Sequence, residues 1–206
     1  MKKPPLSIIL LFICISCGYS TRMTGTWRAY PEKSLEFNKI AVLGLTKSLE
    51  ARKLIEDNIE QKLLSHGINA ESGLLIFPPN ATRENTEPEV AKKLLTLNGF
   101  DAVITVSVLG IEDTRHYVPG SYLYTPVNTT SFYDYYGQMF NYMYSPGYYS
   151  GSVNVFLETN LYTYPEGKLV WSGQSTTTDI SDLKRSADIF STVLVKELVK
   201  TKVIVP

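Results

Sequence analysis

Apolar positions along this chain alternate between a strand period and a helical period, and the switches mark out its elements. Lys39-Ile40-Ala41-Val42-Leu43-Gly44-Leu45 is a nearly continuous apolar run, suited to a strand covered on both faces. Ser48 then caps a helix reaching about His66, with Ile55, Ile59 and Leu63 on one stripe. Gly67 stops that helix, and His66 in its last turn meets exposed carbonyls, a structural role rather than a catalytic one. A short strand near Ile68–Ser72 leads to a loop through Pro78-Pro79. Thr86-Glu87-Pro88-Glu89 is a capping-box sequence with proline in the first turn of a second helix. That helix turns Val90, Ala91, Leu94 and Leu95 inward and ends at Asn98-Gly99; a strong strand follows from Asp101 to Leu109. Strand, helix, strand, helix, strand in this order predicts crossover units on a partly parallel sheet.

The C-terminal part reads differently. From Val153 to Tyr164 the pattern alternates, with Val153, Val155, Leu157 and Leu161 on one face. Pro165-Glu166-Gly167 is a tight turn and Lys168 to Thr177 returns, which makes a β-hairpin. Ser181 is placed to cap a last helix carrying Leu183, Ala187, Phe190 and Leu194 at helical spacing. The expected fold is an α/β sandwich, α+β-like in its second half. It has a mixed sheet of about five strands and three main helices, and one domain over 37–206.

Residues 117–150 interrupt this pattern. They hold ten of the fourteen tyrosines: Tyr117, Tyr122, Tyr124, Tyr133, Tyr135, Tyr136, Tyr142, Tyr144, Tyr148 and Tyr149. Phe132, Met139, Phe140 and Met143 add apolar bulk, and Asp134 is the one charged side chain in the span. Glycines and prolines break it up, so the expectation is a long insertion without a long helix. Disordered segments are poor in aromatics and rich in charge, unlike this one. Three readings stay open: a lid folded over the sheet, a surface for a protein partner or self-assembly, and a glycan-stacking platform. On the last two, the candidate binding residues are Tyr122, Tyr124, Tyr133, Tyr135, Tyr136, Tyr142, Tyr144, Tyr148 and Tyr149.

The N-terminus carries a different kind of pattern. Lys2 and Lys3 precede an apolar run from Leu6 to Ile15, then Ser16 and Cys17, after which Gly18-Tyr19-Ser20-Thr21-Arg22 is polar. Spanning a bilayer takes roughly 17–25 apolar residues, so the run is too short for that. A Cys14-x-x-Cys17 metal or redox site would need a folded setting that this apolar segment does not offer. A basic start, an apolar stretch and a small residue before the cut have the layout of a signal peptide. Cys14-Ile15-Ser16-Cys17 resembles the lipobox of bacterial lipoproteins of the Gram-negative, Bacteroidota-like kind, with a type II signal peptide and no known function. The family usually has leucine where Cys14 stands, and a cut before Cys14 would leave bulky Ile13 at the cleavage position. The resemblance implies a signal peptide over 1–16, acylation of Cys17, and a lipidated tether over 17–36. Gly18 stands where Asp would imply inner-membrane retention, so it further implies an outer-membrane, periplasm-facing anchor.

Composition narrows the function classes. Removing residues 1–16 leaves 190 residues, with 18 basic against 20 acidic, so little attracts a phosphate backbone and no nucleic-acid partner is expected. With Cys14 lost and Cys17 alkylated no thiol remains for a disulfide. No Gly-x-Ser-x-Gly elbow, phosphate-binding glycine loop or His-Glu-x-x-His is present, and neither a cofactor nor a metal is expected. His116, near Glu112 and Asp113, is the sole candidate base with acidic company, and a solvated strand end accounts for it.

Glu158-Thr159-Asn160-Leu161-Tyr162 with Gly167-Lys168-Leu169-Val170-Trp171-Ser172-Gly173 resembles the closing hairpin of uncharacterised bacterial lipoproteins. The early strand-helix order is more faintly similar to periplasmic domains of the curli-secretion and TolB N-terminal type. Neither resemblance brings a catalytic residue. The expected function is a membrane-anchored, non-enzymatic binding or assembly module. The alternatives are a glycan or peptidoglycan binder and, last, a hydrolase using His116.

Overall fold

A computed structural model describes residues 20–79, 88–112, 131–143, 154–178, 180 and 182–205, with side chains to 137 in the third stretch. Its centre is a six-stranded mixed sheet in the order β1-β7-β6-β5-β3-β4. These strands are β1 (Ser20–Arg28), β3 (Ile40–Leu45), β4 (Ala70–Ser72), β5 (Ala102–Glu112), β6 (Asn154–Thr163) and β7 (Leu169–Thr178). β3 runs parallel to β4 and β5, and the remaining pairs are antiparallel. A separate two-stranded ribbon pairs β2 (Leu35–Glu36) with β8 (Ile204–Val205).

Alternation along the strands builds two cores. Ile40, Val42, Ala102, Ile104, Val106, Leu157 and Leu161 face α1 (Leu49–Ser65) and α4 (Leu183–Lys200). Ala41, Leu43, Leu45, Val103, Tyr162 and Tyr164 face α2 (Pro88–Leu97) and α3 (Phe132–Met143). The molecule is therefore three layers: two helices, the sheet, two helices. Each fully buried large apolar side chain contributes about 1.5–3 kcal/mol, so both faces have reason to stay covered.

The α/β class and partly parallel sheet match the sequence reading, and so do the crossover order and the hairpin. Ser48 caps α1 as expected, its side chain accepting from the Ala51 N–H at 3.1 Å. Three expectations change. The segment after Cys17 is not a tether to residue 36, because β1 forms the edge of the main sheet. It escapes the periodicity because only one face meets the core, and that face carries Thr21, Met23 and Arg28 rather than an apolar series. Backbone bonds to β7 hold it, supported by Thr21 and Thr177 hydroxyls 2.8 Å apart. The insertion contains a twelve-residue helix, α3. Gly137 opposes it locally, but burial of Phe132, Tyr135 and Tyr136 on one stripe outweighs a glycine cost of about 1 kcal/mol. With β1 and α3 the sheet has six strands and the described residues four helices, within the mixed-sheet α/β fold expected. Lastly, Asp182 rather than Ser181 caps α4, its carboxylate accepting from the Arg185 N–H at 2.9 Å; Ser181 lies outside the described residues.

Candidate functional site

Polar side chains interrupt the apolar face under α3, and they fall in register. Across the strands, Thr105, Asn160, Ser172 and Trp27 form one row, and Ser107, Glu158, Gln174 and Gly25 the next. Directly opposed residues share a sheet face, so these side chains make one patch spanning β5, β6, β7 and β1. At its β5 end the patch is buried. At its β1 end Trp27 is 51% exposed and nothing stands within 4 Å above Gly25.

α3 supplies the cover. The Tyr135 hydroxyl donates to Ser107 Oγ at 2.8 Å, and its ring packs against Tyr162 with centroids 6.1 Å apart. Asn160 Nδ2 donates to Glu158 Oε2 at 3.2 Å, so the carboxylate sits inside the patch. Thr105 Oγ1, Asn160 Oδ1 and the Tyr162 hydroxyl are buried without a hydrogen-bond partner. Each such group costs about 1–3 kcal/mol unless a water or a ligand atom bonds it.

The electrostatics of the patch fix protons on its phenols. Burial, then the Glu158 charge, pushes Tyr135 well above the usual tyrosine range, and Tyr162 rises for the same two reasons. Tyr133 is pushed up to about 12, chiefly by partial burial. All three are therefore neutral at physiological pH. Tyr133 and Tyr135 act as hydrogen-bond donors, to the Pro165 carbonyl and to Ser107 Oγ. Among the described residues no group of three or more His, Cys, Asp or Glu side chains is placed to hold a metal ion.

The candidate tyrosines divide. Tyr135, at 1% exposure, and Tyr136 belong to the core, which corrects their assignment to a binding surface. Their spacing from Phe132, three and four residues, puts all three on the inner stripe of α3. Tyr133 is half-buried: its hydroxyl donates to the Pro165 carbonyl at 2.9 Å, and the Lys92 ammonium lies 5.4 Å from its ring centroid. Tyr142 falls in the last turn of α3, beyond the described side chains. Cys17, His116, Tyr122, Tyr124, Tyr144, Tyr148 and Tyr149 lie outside the described residues. The sequence reading missed Trp27, Thr105, Ser107, Glu158 and Asn160. Their signal was present, because Thr105 and Ser107, like Glu158 and Asn160, occupy alternate positions on otherwise apolar strands.

A second carboxylate is fully used. Glu56 on α1 is buried and accepts from the Gly44 N–H at 2.8 Å, Arg52 Nε at 2.8 Å, Ser72 Oγ at 2.7 Å and the Leu74 N–H at 2.7 Å. It ties α1 to the ends of β3 and β4 and has no capacity left for a ligand.

No family model and no curated protein matches the chain. Among solved structures it is similar to two PelC dodecamers from Paraburkholderia phytofirmans, crystallised in space groups C2 and P6. The first, a point variant, aligns at TM-score 0.47 and 16% identity over 86% of this chain and 96% of that one. The second aligns at the same TM-score and identity over 92% of this chain and all of that one.

Proposed function

We propose that this chain is a lipid-anchored envelope lipoprotein that works as a non-enzymatic binding or assembly module. It is acylated at Cys17 and held to the periplasmic side of the outer membrane. The observation that carries the reading is β1. It begins three residues after Cys17, runs for nine residues, and lies at the edge of the sheet. Such an edge presents a row of backbone donors and acceptors, a template on which a second strand can pair. Three residues extend to about 11 Å at most, so the anchor holds the start of this edge beside the bilayer at every copy. Anchored copies thus meet with matching orientation, which favours pairing between neighbours over encounters in solution.

In-cell photo-crosslinking tests this. A photoreactive residue at exposed Thr26 in β1 should give a discrete adduct, with a second copy or an envelope protein, and the same probe at exposed Glu50 on α1 should not. Equal, diffuse labelling from both positions would contradict an edge-directed module.

One observation favours glycan binding as a second reading. Trp27 presents a half-exposed ring beside Ser172 and Gln174, an aromatic platform next to hydrogen-bonding side chains. On this reading Trp27→Ala abolishes retention on purified sacculi. Retention unchanged by the substitution, or absent from the start, removes it.

A further inference from the structure

The two edges of the main sheet are defended unequally. β4 is three residues long and carries the charge of Glu71, features that discourage pairing with another strand. β1 is nine residues long, and Arg22, Thr24, Gly25, Thr26 and Trp27 in it are all exposed. Which of its backbone groups point outward follows from its pairing with β7. The Ala29 N–H donates to the Val170 carbonyl at 2.9 Å, so the backbone polar groups of Ala29, Trp27 and Gly25 turn toward β7. Those of Arg28 and Thr26 turn out. The register shift between Met23 and Gly25 inserts one residue, after which Met23 and Thr21 turn out and Arg22 and Ser20 turn in.

This pattern is its own complement. A second β1, laid antiparallel so that residues 20–29 overlap along their whole length, sets Thr21 opposite Arg28 and Met23 opposite Thr26, twice each. Every outward residue of one strand then meets an outward residue of the other and can exchange both backbone hydrogen bonds with it. The extra residue in one strand is met by the extra residue in the other. Side-chain faces match as well. Arg22 comes opposite Trp27, both on the α3 face, so a guanidinium lies against a half-exposed indole at two symmetric places. Arg22 and Arg28 are the charged side chains of the strand. Parallel pairing in register would set Arg22 on Arg22 and Arg28 on Arg28, like charges that repel. We infer that β1 pairs antiparallel with β1 of a second copy in this register, joining two six-stranded sheets across a two-fold axis. The inference rests on β1 as the interaction edge and adds its partner. The two chain starts are then nine residue steps, about 30 Å, apart, so both reach one bilayer when the paired strands lie along its surface.

Disulfide trapping in native membranes tests the register. Opposed residues lie about 4.5–5.5 Å apart between Cα atoms, within reach of a disulfide. Positions 22 and 27, or 23 and 26, of one strand are about 10 Å or more apart and cannot bridge within a chain. The full-length chain carries Arg22→Cys with Trp27→Cys or, separately, Met23→Cys with Thr26→Cys; the four single variants and the parent chain are controls. The second pair leaves Arg22 and Trp27 in place. Circular dichroism of the purified chains checks the fold, so a defect in one pair leaves the other to decide. Membranes are oxidised with copper phenanthroline and analysed by electrophoresis without reductant. Each folded double variant should give a reducible dimer, about five-fold or more above its single variants. Single variants that dimerise as strongly as the doubles would overturn the register. No dimer from a folded double variant would overturn self-pairing. A discrete adduct from the photoreactive probe at Thr26 would then leave the edge reading standing, and its absence would take that reading down as well.

Discussion

Two buried carboxylates, Glu56 and Glu158, illustrate how differently one residue type is used. Glu56 accepts four hydrogen bonds, two of them from backbone N–H groups and one from a guanidinium. Glu56→Ala removes the acceptor for all of these at once and should cost about 3–5 kcal/mol, read as a lower urea midpoint with an unchanged slope. Glu158 instead shares a polar patch with phenols. Tyr133, Tyr135 and Tyr162 all have folded-state values above the ordinary 10.0. An acid raised on folding favours the fold in its neutral form. Its contribution is fully present below pH 10 and is lost as the pH rises through the folded value, about 12 for Tyr133. Stability should therefore stay level with respect to these phenols up to pH 10 and fall above it, with a late tyrosinate fraction in a spectrophotometric titration. A Tyr135→Phe variant should titrate with less of that late fraction. Glycine has one residue-scale test as well. A Cβ on Gly73 would lie 2.2 Å from Leu43 Cδ2 and 2.8 Å from the Val42 carbonyl oxygen. Gly73→Ala should cost about 1–3 kcal/mol, because the backbone oxygen cannot move aside as a side chain can.

At the scale of elements, legibility followed burial. β3, α1, β5, the β6–β7 hairpin and α4 have apolar series of the right period because each buries a whole face or stripe. β1 has no such series. Its place depends on backbone pairing with β7 and on Arg28, whose guanidinium donates to the Thr201 carbonyl at 2.6 Å, the Lys202 carbonyl at 2.8 Å and the Lys33 carbonyl. Those carbonyls lie at the end of α4 and beside β2, so one arginine closes the edge strand onto the helix layer. Arg28→Ala should loosen that corner by about 1 kcal/mol and speed amide exchange in β1 more than in β5. α3 was legible in part. Phe132, Tyr135 and Tyr136 carry a helical spacing, and tyrosine's strand preference with Gly137 masked it. The polar patch was legible too, on the opposite face of the hairpin from the valines and leucines. Its assembly was not, because only the register of four strands brings Trp27 and Thr105 into one row.

For the whole molecule, the arrangement is directional. Two cores clamp one sheet between helix pairs, and the long antiparallel arm projects past the end of β3, which pairs with β5 only as far as Ser107. The start of β1 and the tip of β5 lie in one row at the end of this arm, with β7 and β6 between them. Lipid on Cys17 would therefore join the molecule to its membrane at the arm, leaving the helix-covered body and the β1 edge facing the periplasm. No helix among the described residues is long and apolar enough to cross a membrane. The most direct test is the intact mass of the native protein extracted from membranes. The account predicts a chain that starts at Cys17 and carries the added mass of its acyl groups. A chain starting at another residue, or a Cys17 with a free thiol, would contradict it.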